Sequence, residues 1–253
     1  MHYQYATKQQ DYSDYASGRV LYSRAGAPAF PVRLASEVFQ RAYGYWLKMG
    51  RNGRSILYDP CCGGAYHLAV LGFLHGDKIG RIIGSDVDSD ILELAGKNLG
   101  LLTAVGRAKR RAELETMLQA YQKASHQAAL ESMARLEKRG VEIEAKLFQA
   151  DALEKTAVGQ GLDGAQPDIV FADVPYGSLT LWQSKSNTDS LASQPPITQL
   201  LTTLLPHLAP QSILIIASDK SQKAAHPNYR RLERLRAGKR QIFILQRTNP
   251  PTI

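Results

Sequence analysis

The spacing of apolar residues along the chain changes several times, and each change marks an element. Residues 1–30 are polar, without period, and carry Tyr3, Tyr5, Tyr12, Tyr15 and Tyr22. This predicts an irregular arm whose rings pack on a core rather than stack on bases. Pro31 then opens VRLASEVFQRAYGYWLKMG. Leu34, Val38 and Ala42, with Phe39, Tyr45 and Trp46 beside them, fit one face of a helix that Gly50 and Gly53 end. Ser55–Asp59 reads as a short apolar strand, Tyr66–His75 as a helix after a glycine turn, and Arg81–Asp86 as a second strand. Ser89 is the expected N-cap of a helix with Leu92, Ala95 and Leu99 on one face. Strand–helix–strand–helix predicts a parallel sheet with helices on both faces.

Arg107–Arg139 breaks that rhythm. It lacks proline and glycine and is rich in Ala, Glu, Lys, Arg, Gln and Leu. As one helix it would be about 50 Å long at about 1.5 Å per residue; as two, it would turn near Ala124–Ser125. Its apolar positions (Leu114, Leu118, Tyr121, Leu130, Leu136) are sparse, so an insertion packed by one narrow face is expected. The alternation then resumes, with strands at Glu144–Asp151, Asp168–Asp173 and Ser212–Ser218 and a helix at Ile197–Leu208 between Pro196 and Pro210. RRLERLRAGKRQIFILQR reads as a hairpin turning at Ala237–Gly238, and polar Ser178–Pro196 as a mobile loop.

The composition suits one sizeable core: 253 residues, 44% of them apolar. No apolar run approaches a membrane span, and the first residues lack the apolar core of a secretory signal, so a cytoplasmic protein is expected. Cys61 and Cys62 are the two cysteines. Adjacent residues rarely reach disulfide geometry, and no His or Cys cluster has zinc spacing, so no metal is expected.

Charge narrows the partners. The formal net charge is +8. Asp219–Arg247 holds nine Lys/Arg against Asp219 and Glu233, a net of +7. Arg107–Arg139 holds eight Lys/Arg against four Glu. Clustered cations suit a polyanion such as nucleic acid, although a solvated basic surface has the same composition.

Three strand ends carry the chemistry. The first continues as DPCCGGAY, the second as GSDVD, with Asp86 placed 27 residues after Asp59, and the fourth as DVPYG at Asp173–Gly177. On successive parallel strands these groups share one sheet edge, where ligands of open α/β sheets bind. Glycines there let a ligand lie against backbone, and a carboxylate after the second strand can accept two ribose hydroxyls. An adenosine-bearing cofactor is implied, and NAD and S-adenosylmethionine both stay open. The G-x-G-x-x-G pattern for a diphosphate is not met, because Ala65 follows Gly63 and Gly64 and Leu68 stands where a third glycine would fall.

With DVPYG in view, the chain resembles the class I S-adenosylmethionine-dependent methyltransferases of the amino-group and base methylating branch. The resemblance runs from about Ser55 to Arg247. It rests on Asp59, Pro60, Cys62 and Gly63, then Asp86, Asp151, and Asp173 with Pro175 and Tyr176. Ala65 departs from the second loop glycine of that pattern, and Val174 from the first proline. The tyrosine-rich arm, PAFPVRLASEVFQRA and FADVPYG extend the resemblance to a family of avilamycin-resistance large-subunit rRNA methyltransferases. That implies methylation of a guanine in bacterial 23S rRNA, on a ring or amino nitrogen, and resistance to orthosomycin antibiotics. The implied fold is a Rossmann-like α/β domain over 54–253, with a seven-stranded mostly parallel sheet, a C-terminal antiparallel hairpin and a helical insertion at about 104–140. Residues 1–53 would form the arm and its helix.

The resemblance also implies roles. Gly63 and Gly64 would lie against the methionine part of the cofactor with Cys61, and Asp59 would reach its ammonium through water. Asp86 with Val87 would hold the ribose, and Asp151 with Ala152 the adenine; Asp86 and Asp151 could also be helix caps. Asp173 would accept an N–H of the target base, aim its nitrogen at the methyl group and stabilise the charge that develops. Pro175 would fix the turn, and Tyr176 and Trp182 would stack on the base. Arg230, Arg231, Arg234, Lys239 and Arg240 would hold RNA phosphates, although strand alternation should divide the arginines between two faces. The insertion is either a second phosphate surface or scaffold. The six histidines have no evident partners and take no role. A monomer acting on 23S rRNA or the large subunit is expected; the alternatives are a protein glutamine or DNA base as target, an inactive RNA-binding fold, and a dehydrogenase.

Overall fold

In the computed structural model, which describes residues 1–16, 18–24, 29–174 and 194–248, a seven-stranded sheet carries two layers of helices. The strands are β1 (Ser55–Asp59), β2 (Ile79–Asp86), β3 (Glu144–Gln149), β4 (Ile169–Asp173), β5 (Ile213–Asp219), β6 (Tyr229–Ala237) and β7 (Arg240–Arg247). Their order is β3-β2-β1-β4-β5-β7-β6. The first five run parallel, and β7 is antiparallel to both β5 and β6. The order reverses between β1 and β4, which places a ligand crevice at their carboxyl ends.

The central strands are apolar on both faces because both are covered. Ile169 and Phe171 of β4 and Ile213 and Ile215 of β5 face one core. Val170, Ala172, Leu214 and Ile216 face the other. The first core is closed by α1 (Val32–Lys48), α2 (Tyr66–His75), α3 (Ser89–Gly100), α4 (Ala104–Tyr121) and α5 (Ala124–Glu137); the second by α6 (Lys155–Leu162) and α7 (Pro196–Leu204). Asp88, not Ser89, caps α3: its carboxylate accepts the Asp90 N–H at 2.9 Å. No periodicity announces α6. It is short, contains Gly159 and Gly161, and is held by Glu154 accepting the Thr156 and Ala157 N–H groups.

The 107–139 stretch is two helices. Gln122 takes a left-handed conformation (φ 48°) and reverses the chain before α5. Two of its basic residues, Arg107 and Arg110, turn inward, while Lys109, Lys123, Arg135, Lys138 and Arg139 stay exposed. Arg110 is buried, donates to the Val20 carbonyl at 2.9 Å and lies 4.1 Å from the Tyr22 ring centroid. Arg107 donates to the carbonyls of Leu101 and Val141, Arg135 pairs with Asp14 at 2.8 Å, and Arg111 pairs with Glu137. Arg110 and Arg135 thus hold the N-terminal arm to the insertion. The arm in turn buries Tyr15, Val20, Leu21 and Phe30 in the first core. Its beginning is tied to α1: fully buried Glu37 accepts the N–H groups of Gln4, Tyr5 and Ala6.

Candidate active site

The β1–α2 turn is built by its own polar groups. Asp59 Oδ1 accepts the Cys61 N–H at 2.9 Å, and the Cys62 N–H donates to the Ser85 carbonyl. Gly63 takes φ +50°, and its N–H donates to Asp86 Oδ2 at 2.8 Å. Ala65 adopts φ 52°, so alanine here takes the left-handed conformation usually given to glycine. Asn98 of α3 then joins loop and arm: its amide donates to the Gly64 carbonyl at 2.8 Å and accepts the Tyr22 N–H at 2.8 Å.

Four carboxylates gather around this turn, Asp59 beneath it. Burial, and then Asp59, Asp86, Asp151 and Asp173, push the half-buried Cys61 thiol well up from its ordinary value, so it stays a neutral thiol. Asp86 is raised by burial. Its Oδ1 accepts the Asp88 N–H at 3.1 Å. Asp151 follows β3 and accepts the Leu153 N–H at 2.9 Å, with Ala152 buried beside it. An added Cβ at Gly63 would meet nothing within 4 Å, so the loop backbone is open to a ligand. Clustered carboxylates around an open glycine turn fit a cationic, adenosine-bearing cofactor.

Asp59 departs from its expected place. It is fully buried, and its Oδ2 ion-pairs with His67 Nε2 at 3.0 Å. Both oxygens are therefore spent inside the protein, and the carboxylate shapes the loop from below instead of reaching a ligand through water.

His67 corrects the expectation that the histidines lack partners. It lies in the first turn of α2, with ring centroids 4.8 Å from Phe171 and 6.0 Å from Phe30. Burial pulls its pKa down, but the Asp59 hydrogen bond and charge outweigh that and raise it. His75 also has a partner, Ser36 Oγ at 3.0 Å, and burial lowers it to about 4. The signal for His67 was its spacing, since a helix beginning soon after Asp59 turns its first residues back over the strand end.

Asp173 ends β4 across the crevice from Asp59. Burial lifts its carboxyl to about 6, with His67 and Arg240 pulling down and Asp59 pushing up. Val174 is explained by its N–H, which donates to the Ala217 carbonyl at 3.0 Å, a bond that proline could not make. Pro175, Tyr176 and Trp182 lie outside the described residues, as does the polar stretch from 178 to 193.

The predicted phosphate ligands divide. A register shift between Arg231 and Glu233 interrupts the alternation of β6. Arg231, Arg234 and Arg236 consequently pair with Leu245, Phe243 and Gln241, alternate residues on a single face of β7. Arg230 falls on the opposite face and donates to Gln246 at 2.6 Å. Lys239 is exposed in the hairpin turn. Arg240 is drawn to the crevice, with its Nε 4.0 Å from Asp173 Oδ1. A surface hollow of about 620 Å³ near Met1, Arg41, Arg234 and Arg236 lies away from the four carboxylates. No helix among the described residues is long and apolar enough to cross a membrane.

Comparison with known proteins places this geometry. A family model described as the rRNA methyltransferase AviRa matches residues 1–240. The chain is 37% identical, over 96% of its length and 95% of the relative's, to a 23S rRNA (guanine(2535)-N(1))-methyltransferase of Streptomyces viridochromogenes. Two solved structures of the rRNA methyltransferase AviRa from the same organism superpose with TM-scores of 0.85 and 0.84, at 34% and 36% identity. Each match covers 97% of this chain and 96% of the other. A Listeria monocytogenes structure described as a class I S-adenosylmethionine-dependent methyltransferase shares the fold, with a TM-score of 0.52 at 15% identity over 92% of this chain and 64% of that one.

Proposed function

Because the chain belongs to the AviRa family of rRNA methyltransferases, we propose that it methylates N1 of a guanine in bacterial 23S rRNA, using S-adenosylmethionine. The observation that carries the reading is Asp173, a half-buried carboxylate raised to about 6 at the end of β4, beside the carboxylate-lined turn. When bound, S-adenosylmethionine supplies a methyl group on a cationic sulfur. Gly63, Gly64 and Cys61 would lie along its methionine part, Asp86 and Val87 at the ribose, and Asp151 and Ala152 at the adenine. The guanine ring nitrogen carries a proton that must leave before it attacks. Asp173 is a base for that proton, still ionised at neutral pH and more basic than an ordinary carboxylate. The protein's contribution is otherwise position and a dry, charged floor. Its expected partner is 23S rRNA or the large subunit, on which it would act as a monomer in the cytoplasm. Orthosomycin resistance is the expected cellular consequence.

The direct test is transfer of labelled methyl from S-adenosylmethionine to unmodified large-subunit rRNA, with the product identified by nucleoside mass spectrometry. 1-Methylguanosine is expected. A methylated amino group, a labelled protein or labelled DNA would each replace this reading with the corresponding alternative.

Two further outcomes follow from the geometry. Asp86→Ala removes the ribose acceptor and the Gly63 anchor together, so cofactor affinity measured by calorimetry should fall at least tenfold, about 1.4 kcal/mol. The one-sided row of Arg231, Arg234 and Arg236 should make RNA binding strongly salt-dependent. Changing each to Gln should reduce the slope of log affinity against log salt by about 0.7–0.9. An unchanged slope would remove that face from the RNA interface.

A further inference from the structure

We propose that Asn98 is a positioning residue for the cofactor: it holds the Gly64–Ala65 peptide in the orientation that keeps the turn ready for a ligand, and the N-terminal arm sets the direction of its amide. This rests on the S-adenosylmethionine reading. The turn has an open side and a closed one. On the open side an added Cβ at Gly63 would meet nothing within 4 Å. On the closed side one at Gly64 would stand 2.8 Å from Leu94 Cδ2 and 4.0 Å from Asn98 Nδ2, both on α3. The peptide between Gly64 and Ala65 is tied at both ends. Its N–H donates to the Cys62 carbonyl at 2.8 Å, and its carbonyl accepts from Asn98 Nδ2 at 2.8 Å. It leads into Ala65 at φ 52° and ψ 28°, a conformation that sterics disfavour for alanine. The two bonds offset that cost. Rotating the peptide would carry Ala65 out of this conformation and break the bond to Asn98.

The arm decides which way the amide faces. Asn98 is fully buried, and its remaining bonds go to the backbone of Tyr22. Oδ1 accepts the Tyr22 N–H at 2.8 Å, and Nδ2 donates to the Tyr22 carbonyl at 3.1 Å. A backbone N–H can only donate, so the amide oxygen must face it, which leaves the nitrogen for Gly64. Turned the other way, the amide would set its oxygen against the Gly64 carbonyl and its N–H groups against the Tyr22 N–H. Tyr22 is itself fixed. Its hydroxyl donates to Glu113 Oε2 at 2.7 Å, and its ring centroid lies 4.1 Å from the Arg110 guanidinium. The chain of contacts thus runs from α4 through the arm and Asn98 to the turn. Cofactor affinity scales with the fraction of molecules whose turn already has the receiving shape, and Asn98 keeps that fraction high.

The test titrates the full chain with S-adenosylmethionine and S-adenosylhomocysteine in a calorimeter, with thermal melts followed by circular dichroism alongside. Asn98→Ala should bind both about tenfold more weakly, the bias against left-handed alanine that its bond offsets. Adding Ala65→Gly should bring affinity back to within about threefold of wild type, because glycine takes positive φ without steric cost. Tm should not recover with it, since the bonds to Tyr22 stay lost. That split separates positioning from general support. Tyr22→Ala should weaken binding about threefold in the wild-type background and no further beside Asn98→Ala, as expected of residues acting through one contact. Wild-type affinity in Asn98→Ala at a lowered Tm would overturn the proposal, as would a glycine at 65 that restores nothing. Equal losses from Tyr22→Ala in both backgrounds would overturn the arm's part in it. If Asn98→Ala does not fold, Asn98→Ser carries the same comparisons, because one short hydroxyl cannot span from Tyr22 to Gly64. Wild type is titrated first: a chain that binds neither compound defeats the cofactor reading itself, whereas tight binding that ignores Asn98 defeats this inference alone.

Discussion

Asp173→Asn should lower methyl transfer to rRNA by about 10²–10⁴-fold, the usual contribution of a positioned acid–base group, while cofactor affinity stays within a few-fold. The amide preserves shape and removes the basic oxygen, so the loss should fall on kcat. Wild-type activity should fall as pH drops through about 6, because burial raises the Asp173 carboxyl there and its protonated form cannot take the N1 proton. The groups facing it are Asp59 on β1, His67 on α2 and Arg240 on β7, with the neutral Cys61 thiol nearby. Asp59 raises its value, and His67 and Arg240 lower it. Removing either cation must therefore move the acid limb to higher pH. A profile flat between pH 5 and pH 8 would mean that Asp173 does not titrate in the rate-limiting step.

His67→Ala should be among the most destabilising single changes in the chain. It leaves Asp59, 0% exposed, without its ion-pair partner. Breaking a buried pair by removing one member costs about 3–5 kcal/mol, and at about 2–4 °C per kcal/mol for a domain of this size, Tm should drop by roughly 10 °C. The double variant Asp59→Asn/His67→Gln should recover much of that loss, because no unpaired buried charge remains. The sign with pH is set by the raised histidine pKa. Its contribution is complete below the ordinary histidine value of 6.5 and is lost as pH rises through the raised one. Thermal melts of wild type and His67→Ala across pH 5–9 check both statements. Equal melting temperatures would show that Asp59 finds another partner or water.

The arm connects these effects. Phe30 lies under Arg240 and against His67, and Tyr22 is joined through Asn98 to the Gly64 carbonyl. Arg110 and Arg135 hold the arm to the insertion. Part of the basic stretch that composition offers as a phosphate surface therefore holds the arm in place. Composition counts charges but not their partners, and Arg107 and Arg110 are buried where eight Lys/Arg in sequence suggest an exposed surface.

Period and punctuation by themselves determined the sheet. Near-continuous apolar runs at β1, β4 and β5, too short for helices and bounded by turn residues, read as strands covered on both faces, and their alternation with helices gives parallel order. The strand-end motifs DPCCGGAY, GSDVD and DVPYG likewise located the crevice, because parallel strands bring their carboxyl ends to one edge. Only the tertiary structure decided what crosses that edge. His67 under Asp59 depends on how α2 returns over β1. Arg240 beside Asp173 depends on the register of β4 with β5 and of β5 with antiparallel β7. Arg231, Arg234 and Arg236 share a face because one irregularity in β6 resets an alternation that local sequence predicts to divide them. In each case the deciding contact joins residues on separate elements, and its geometry is set by packing, which no local period encodes.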